Sequence, residues 1–302
     1  ETEDEVEKRL QTERLKDIYR MYNEEDRVIS SIEANKNIQK LKKEEGSRLL
    51  IKSHYKSLDK IIDGFFPGNL ITISAPTKQG KTLFCQNLTE NFIKDDIKSL
   101  WFSYEVPMEE FLERFDIDVP LFYLPRMLKN NTLIWIEQRI IESVVKFNTK
   151  VIFIDHLHYV LDLAALQKNI NVSLQIGSIL RELKRMAIKW KVAIFLIAHI
   201  AKTTLDQPPT LADLRDSSFI AQESDIVLMI WRKVKEDSSP PILSNSAILS
   251  VQAHRRKGTT GNIPLTYVNG KLRETSEVVE EIGDNTDIIE KPGTNDSAKA
   301  EL

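Results

Sequence analysis

The alternation of apolar and polar positions divides the chain into three stretches. Residues 1–47 are rich in Glu, Lys, Arg and Gln, with no Pro and no Gly before Gly46. Leu10, Leu15, Ile18, Met21 and Tyr22, then Ile29, Ile32 and Ile38, recur at helical spacing and predict one or two amphipathic helices. Two uses stay open for them: a solvated helix at the domain edge, or a linker helix that docks on a neighbouring subunit. From 48 to 274 short apolar runs alternate with helical patterns. The runs 70–74, 99–103, 151–155, 192–198 and 225–231 read as strands, apolar on both faces as in a parallel sheet covered by helices on both sides. Residues 81–94 read as a helix, and Ile176, Ile179, Leu180, Leu183, Ala187 and Trp190 mark one face of another. Two late runs, 247–252 and 261–267, with a turn at Asn269-Gly270, predict an antiparallel extension. Segments 202–209 and 236–241 read as loops, and 275–302 as an acidic, disordered tail. The expected fold class is therefore α/β: a mostly parallel sheet with helices on both faces, a small antiparallel extension and a helical N-terminal segment.

Composition narrows the function classes. Hydrophobic residues make up 41% and charged residues 29%, ordinary for a globular protein. No apolar run is long enough to span a bilayer and no secretory signal opens the chain, so an intracellular, cytoplasmic protein with no membrane partner is expected. The single Cys85 excludes an internal disulfide and a cysteine zinc site. Net charge is −3, but residues 274–302 carry nine acidic residues and two Lys, which leaves the rest at +4. A mildly basic body permits nucleic-acid binding without requiring it. The abrupt acidic start suggests a piece of a longer chain.

The strongest chemical signal is Ala75-Pro76-Thr77-Lys78-Gln79-Gly80-Lys81-Thr82, placed between a strand and a helix. That is the context of a phosphate-binding P-loop. Backbone amides and the helix N-terminus face the phosphates of ATP, and Gly80 admits close approach. Lys81 reaches the β- and γ-phosphates and Thr82 offers a hydroxyl to Mg²⁺. Ala75 stands where such loops usually begin with Gly, which is tolerable if its φ is negative. Asp155, at the carboxyl end of the strand 151–155, is placed to hold Mg²⁺ through water; the plainer reading is an Asp that caps the next segment. Glu105 follows the second strand. It is either the base that orients the attacking water or a helix N-terminal Glu favoured by the dipole, with periodicity giving no preference. His199 ends the fourth strand; a lone His there is more often structural, but in this fold the position faces the γ-phosphate and suits a sensor. His156 and His158 lack a third ligand and point to packing or hydrogen bonding, not a metal pair.

Taken together, Gly68-Asn69-Leu70, the P-loop, Ser103-Tyr104-Glu105-Val106-Pro107, the 151–157 run, Ile197-Ala198-His199, Asp213-Leu214-Arg215-Asp216-Ser217, 221–225 and 252–258 resemble the DnaB-type replicative helicases, the hexameric superfamily 4 motors on a RecA-like core. The resemblance covers about three quarters of the chain. It implies that Glu105 is the catalytic glutamate and His199 the phosphate sensor, and that Arg256 is an arginine finger acting on the neighbouring subunit. It also implies that Arg215, with Asp216, Ser218 and Lys202, binds the backbone of single-stranded DNA in the ring channel. An ordinary surface salt bridge is the alternative for Arg215. The family carries Lys where this chain has His254, so Arg255 or Lys257 is left to supply that charge. A homo-hexamer with ATP and Mg²⁺, translocating 5′ to 3′, and a primase or helicase loader as partner, complete the expectation. The alternatives are a recombinase-like or regulatory ring ATPase without unwinding, and an interaction protein that uses ATP as a switch.

Overall fold

The computed structural model describes residues 28–44, 48–115, 119–128, 131–160, 172–199, 208–213, 217–234 and 243–276. Contacts divide the chain into Glu1–Arg48 and Leu49–Leu302. In the first unit, helix α1 (Ser31–Glu44) opens with a cap in which Ser30 Oγ accepts the Glu33 amide at 3.1 Å. Ile32, Ile38 and Leu41 on it are exposed. The helical pattern at Leu10–Tyr22 lies outside the described residues.

The second unit runs α2 (Lys56–Ile62), β1 (Leu70–Ala75), α3 (Lys81–Lys94), β2 (Ser99–Ser103), α4 (Met108–Glu113), α5 (Leu133–Phe147) and β3 (Val151–Asp155). It continues through α6 (Leu157–Val160), α7 (Val172–Lys189), β4 (Ala193–His199), α8 (Ser217–Glu223), β5 (Ile226–Val234), β6 (Leu243–His254), β7 (Gly261–Val268) and β8 (Lys271–Glu274). The eight strands form one sheet in the order β2-β3-β4-β1-β5-β6-β7-β8. The first five are parallel and the last three antiparallel. All five parallel strands fall where the hydrophobic runs placed them, with ends shifted by a few residues. The Asn269-Gly270 pair closes the β7–β8 hairpin with both residues at positive φ, 48° and 78°, the conformation a two-residue turn demands.

Strand alternation sorts the core onto two faces. Ile71, Ile73, Phe153, Phe195 and Ile197 pack with Phe84, Leu88 and Phe92 of α3 and with Leu58 and Ile62 of α2. Leu70, Ile152, Ile154, Ile194 and Leu196 pack against Ile136 and Ile140 of α5 and Ile176, Leu180 and Leu183 of α7. Trp101, Phe153 and Phe195 are register partners on β2, β3 and β4, with ring centroids 4.4 and 4.9 Å apart. Helix α5 went unpredicted although Thr132 caps it and Ile136, Ile140 and Ser143 recur on its buried side. Among the described residues no helix is long and apolar enough to cross a membrane. The loop 236–241 and the tail from 277 lie outside the described residues.

The amino edge of the sheet is tied by Asp225. Its Oδ2 accepts the Leu70 amide at 2.7 Å and Lys184 Nζ at 2.6 Å, and its carbonyl accepts the Arg255 amide at 2.8 Å. Asp225→Ala leaves the Leu70 amide unpartnered and strips the half-buried Lys184 ammonium of its counter-charge, with the Gly68 carbonyl at 2.6 Å as its remaining acceptor. It is expected to destabilise the domain by about 2 kcal/mol, read as a lower urea midpoint at unchanged slope.

Candidate nucleotide site

Parallel strands point their carboxyl ends at one edge of the sheet, and that edge collects the predicted groups. Ala75 ends β1 and the loop turns through Lys78 (φ 64°) and Gly80 (φ 98°) into α3. Both positive angles let loop amides face outward; at Gly80 a side chain would be strained. Pro76 is partly buried, Thr77 and Lys78 are exposed, and Ala75 is fully buried. The Gln79 side chain turns inward instead: it is buried, and its Oε1 accepts the Arg232 amide at 2.5 Å, bracing the loop on β5. Any role of Gln79 toward phosphate is thereby confined to its backbone.

Lys81 is 5% exposed and donates to the carbonyls of Ala75 (3.1 Å) and Pro76 (3.2 Å). Burial lowers its pKa, with Asp155 and Glu105 opposing. Thr82 Oγ1 donates to Asp155 Oδ2 at 2.7 Å. Burial lifts the Asp155 carboxyl to about 6, against the Thr82 hydrogen bond and with the repulsion of Glu105. Asp155 Oδ1 is buried and, among the described residues, has no hydrogen-bond partner. An orphaned carboxylate oxygen next to a threonine hydroxyl is the donor set that an octahedral, oxygen-seeking Mg²⁺ takes.

Glu105 follows β2, and β3 and β4 stand between that strand and β1. At about 4.8 Å per strand the carboxylate reaches the phosphate loop across the edge, not from beside it. Its Oε2 lies 3.8 Å from His199 Nε2 and 3.9 Å from His156 Nε2. The two imidazoles meet edge to face at 4.2 Å. Burial pushes His199 down to about 4 and His156 to about 3, helped by neighbouring positive groups, so both are neutral at physiological pH. The His158 amide donates to His156 Nδ1 at 3.2 Å, which puts the ring proton on Nε2, toward Glu105. Glu105, His156 and His199 are close enough to share a metal ion. The proton on His156 Nε2 works against that use, and a hydrogen-bonding role fits His156 better.

A cavity of about 400 Å³ is lined by Thr77, Lys78, Lys81, Thr82, Glu105 and His199, among others. Arg114 also lines it, and sequence reasoning passed it over. Its i, i+4 partner Glu110, at 2.6 Å, makes it read as half of a solvated helix pair. Only the return of the chain past β2 brings this cation to the cavity.

Arg256 lies elsewhere. Strand β5 runs parallel to β1, with Ile226 opposite Ile71, and β6 returns antiparallel with His254 opposite Ile226. The 255–258 turn therefore sits at the amino edge, a strand length of roughly 20 Å from the chain's own phosphate loop. His254 is buried, its pKa lowered by burial and by Arg256 and Lys257, and Nδ1 bonds the Thr259 hydroxyl at 3.0 Å. It therefore braces the turn and does not replace a lysine's charge. Lys257 pairs with Asp63, and Arg255 donates to the Gln222 carbonyl. Of the residues predicted for DNA, Lys202, Arg215 and Asp216 lie outside the described residues, and Ser218 is exposed on α8.

Known proteins resemble this chain in sequence and in fold. The profile of the DnaB-like helicase C terminal domain matches residues 50–119 and 126–274. A probable replicative DNA helicase of Trieres chinensis is 26% identical over 253 residues, covering 72% of this chain and 55% of that protein. The replicative DNA helicase DnaB of Haemophilus influenzae is 27% identical over 261 residues, covering 75% and 55%. The chain thus spans about half the length of these curated relatives. Among solved structures, one described as an ATPase domain superposes with a TM-score of 0.67 at 20% identity, covering 82% of this chain and 99% of that one. A DnaB-like replicative helicase, described with its interactions with primase, gives 0.62 at 21%, covering 82% and 67%. The expected RecA-like α/β fold is the observed one.

The raised Asp155 pKa sets a pH dependence. Without a cation, the folded state holds the proton more tightly than the unfolded chain does. This contribution to stability is present below the ordinary value of 3.8 and lost as pH rises through about 6. Asp155→Asn is expected to flatten the thermal stability of the nucleotide-free protein across that window and to raise its Tm at pH 7. Melting curves from pH 4 to 7.5 in chelator check both.

Proposed function

Because the chain belongs to the family of DnaB-like helicase C-terminal domains, we propose that it is the ATP-hydrolysing motor of a replicative DNA helicase. The observation that carries this reading is the division of the machinery between two edges. Lys81, Thr82, Glu105 and His199 line one cavity at the carboxyl edge, with Asp155 buried behind Thr82, and Arg256 stands at the other edge. Lys81 binds the β- and γ-phosphates of ATP, exchanging two loop carbonyls for phosphate oxygens. Thr82 and Asp155 would hold Mg²⁺, which would supply neutralisation of phosphate charge when bound. Glu105, half-exposed and aimed into the cavity, takes the proton of the attacking water. Neutral His199, beside it, reports the γ-phosphate through a hydrogen bond and not through charge. Arg256 of one subunit completes the next subunit's site and stabilises charge on the transferring phosphoryl group.

The same reading makes the working form a homo-hexamer around single-stranded DNA, moving 5′ to 3′. Arg215, Lys202, Asp216 and Ser218 track the sugar-phosphate backbone, so binding is sequence-neutral and weakens with salt. Primase or a helicase loader is the proposed protein partner; the structural relative described with its interactions with primase supports the first. The boundaries 1–47, 48–274 and 275–302 belong to this proposal as linker, motor and acidic tail.

Steady-state hydrolysis with and without single-stranded DNA, at ring-forming concentration, is the first test. Strong stimulation is expected, and Lys81→Ala is expected to lower turnover roughly a hundredfold or more, the scale of losing one preorganised charge at the reacting group. Hydrolysis indifferent to DNA would move the assignment to a regulatory ring ATPase. Arg256→Ala is expected to abolish turnover while an isolated subunit still binds nucleotide. Rings mixed from the Lys81→Ala and Arg256→Ala proteins should regain activity; mixtures that stay inactive would argue against a finger that works between subunits.

A further inference from the structure

A finger that stabilises a neighbour's phosphate must be held still before the phosphate arrives, because an exposed arginine samples many rotamers. The structure assigns Phe66 and Asp63 as the seat that pre-orients Arg256, an inference resting on the proposed inter-subunit role of that arginine. The guanidinium carbon lies 4.6 Å from the centre of the Phe66 ring, within cation–π range. Its Nη2 reaches the Ile62 carbonyl and Asp63 Oδ2, each at 3.4 Å. Both long hydrogen bonds use one nitrogen. Among the described residues, Nε and Nη1 have no hydrogen-bond partner, so two donor positions remain for a phosphate while the seat stays engaged.

The seat is rigid on both sides. Phe66 sits in a turn in which Asn69 Oδ1 accepts its amide at 2.9 Å and its carbonyl accepts the Asn69 amide at 3.0 Å. Asp63 is the left-handed C-cap of α2, at φ 58°, and its amide closes on Asp59 at 2.8 Å. The arginine's own loop is braced as well. Gly258 N bonds His254 O at 2.7 Å, and Thr259 Oγ1 donates to the Ile61 carbonyl at 2.9 Å. Since the Thr259 proton is spent on Ile61, His254 Nδ1 must donate to Thr259, which locks the turn from its other end. Lys257 takes the closer contact with Asp63, and Arg256 the longer one, which leaves the guanidinium steered but not captured.

Phe66 is thus a positioning residue, and its removal should slow the chemical step without weakening nucleotide binding. The experiment uses the full chain in assembled rings with Phe66→Ala, Phe66→Tyr and Arg256→Ala. It reads kcat and KM for ATP, affinity for a fluorescent ATP analogue, and ring assembly by sedimentation velocity. Phe66→Ala is expected to lower kcat about tenfold at unchanged KM and assembly, the effect of losing a partly desolvated cation–π contact. Phe66→Tyr, which keeps the ring face, restores most of that turnover. Full activity of Phe66→Ala beside an inactive Arg256→Ala overturns the seat and leaves the finger standing. So does a Phe66→Ala ring that falls apart, or a Phe66→Tyr ring as slow as the alanine variant, since either makes Phe66 merely structural. An active Arg256→Ala ring removes the finger itself and is recognised independently.

Discussion

The 2.7 Å hydrogen bond from Thr82 to Asp155 fastens the first turn of α3 to the end of β3 across the carboxyl edge of the sheet. The rest of the site is arranged around it. It holds the phosphate loop against the strand that carries the carboxylate, and it occupies one oxygen while the other stays buried and, among the described residues, unpartnered. Such an atom is costly unless a ligand arrives to use it. The cost shows as a carboxyl that titrates near 6, well above its ordinary range. The same burial keeps Lys81 on loop carbonyls and holds both flanking histidines neutral. Nucleotide and cation would relieve all of these tensions at once, which is how a site can be stable when empty and still favour its ligand.

Much of this was legible in one dimension because it depends on local pattern. A phosphate loop needs small residues and a Lys-Thr pair between a strand and a helix. Strands apolar on both faces need helices on both sides, and 70–75, 151–155 and 193–199 all obey that rule. Glu105, Asp155 and His199 could be placed at one edge simply by following strands. Their order across the sheet could not be read, and it is the order that sends Glu105 over two strands to reach the cavity. Arg114 and the inward turn of the Gln79 side chain escaped for a related reason. A helix-surface ion pair and a loop glutamine look solvated until tertiary contacts turn one toward the cavity and the other onto β5.

His254 illustrates a different limit. The sequence shows a histidine in a basic turn, and only the family resemblance implies that it stands where a lysine is usual. Whether it carries charge depends on burial and on its hydrogen-bond partner, which come from the antiparallel return of β6 and the approach of α2. The residues of α2 that receive this turn are some two hundred positions away in sequence, and no periodicity connects them.

The separation of the phosphate loop from Arg256 has a consequence for symmetry. A contact that joins the carboxyl edge of one copy to the amino edge of the next uses two different surfaces and is heterologous. Such contacts repeat head to tail, and they end only by closing into a ring or continue as a filament. A two-fold dimer could join both edges only through one interface as long as the strands. On the proposed inter-subunit role of Arg256, the geometry within one chain therefore disfavours a two-fold dimer, and the angle between neighbours, which a single chain does not contain, decides between ring and filament and fixes the number of copies.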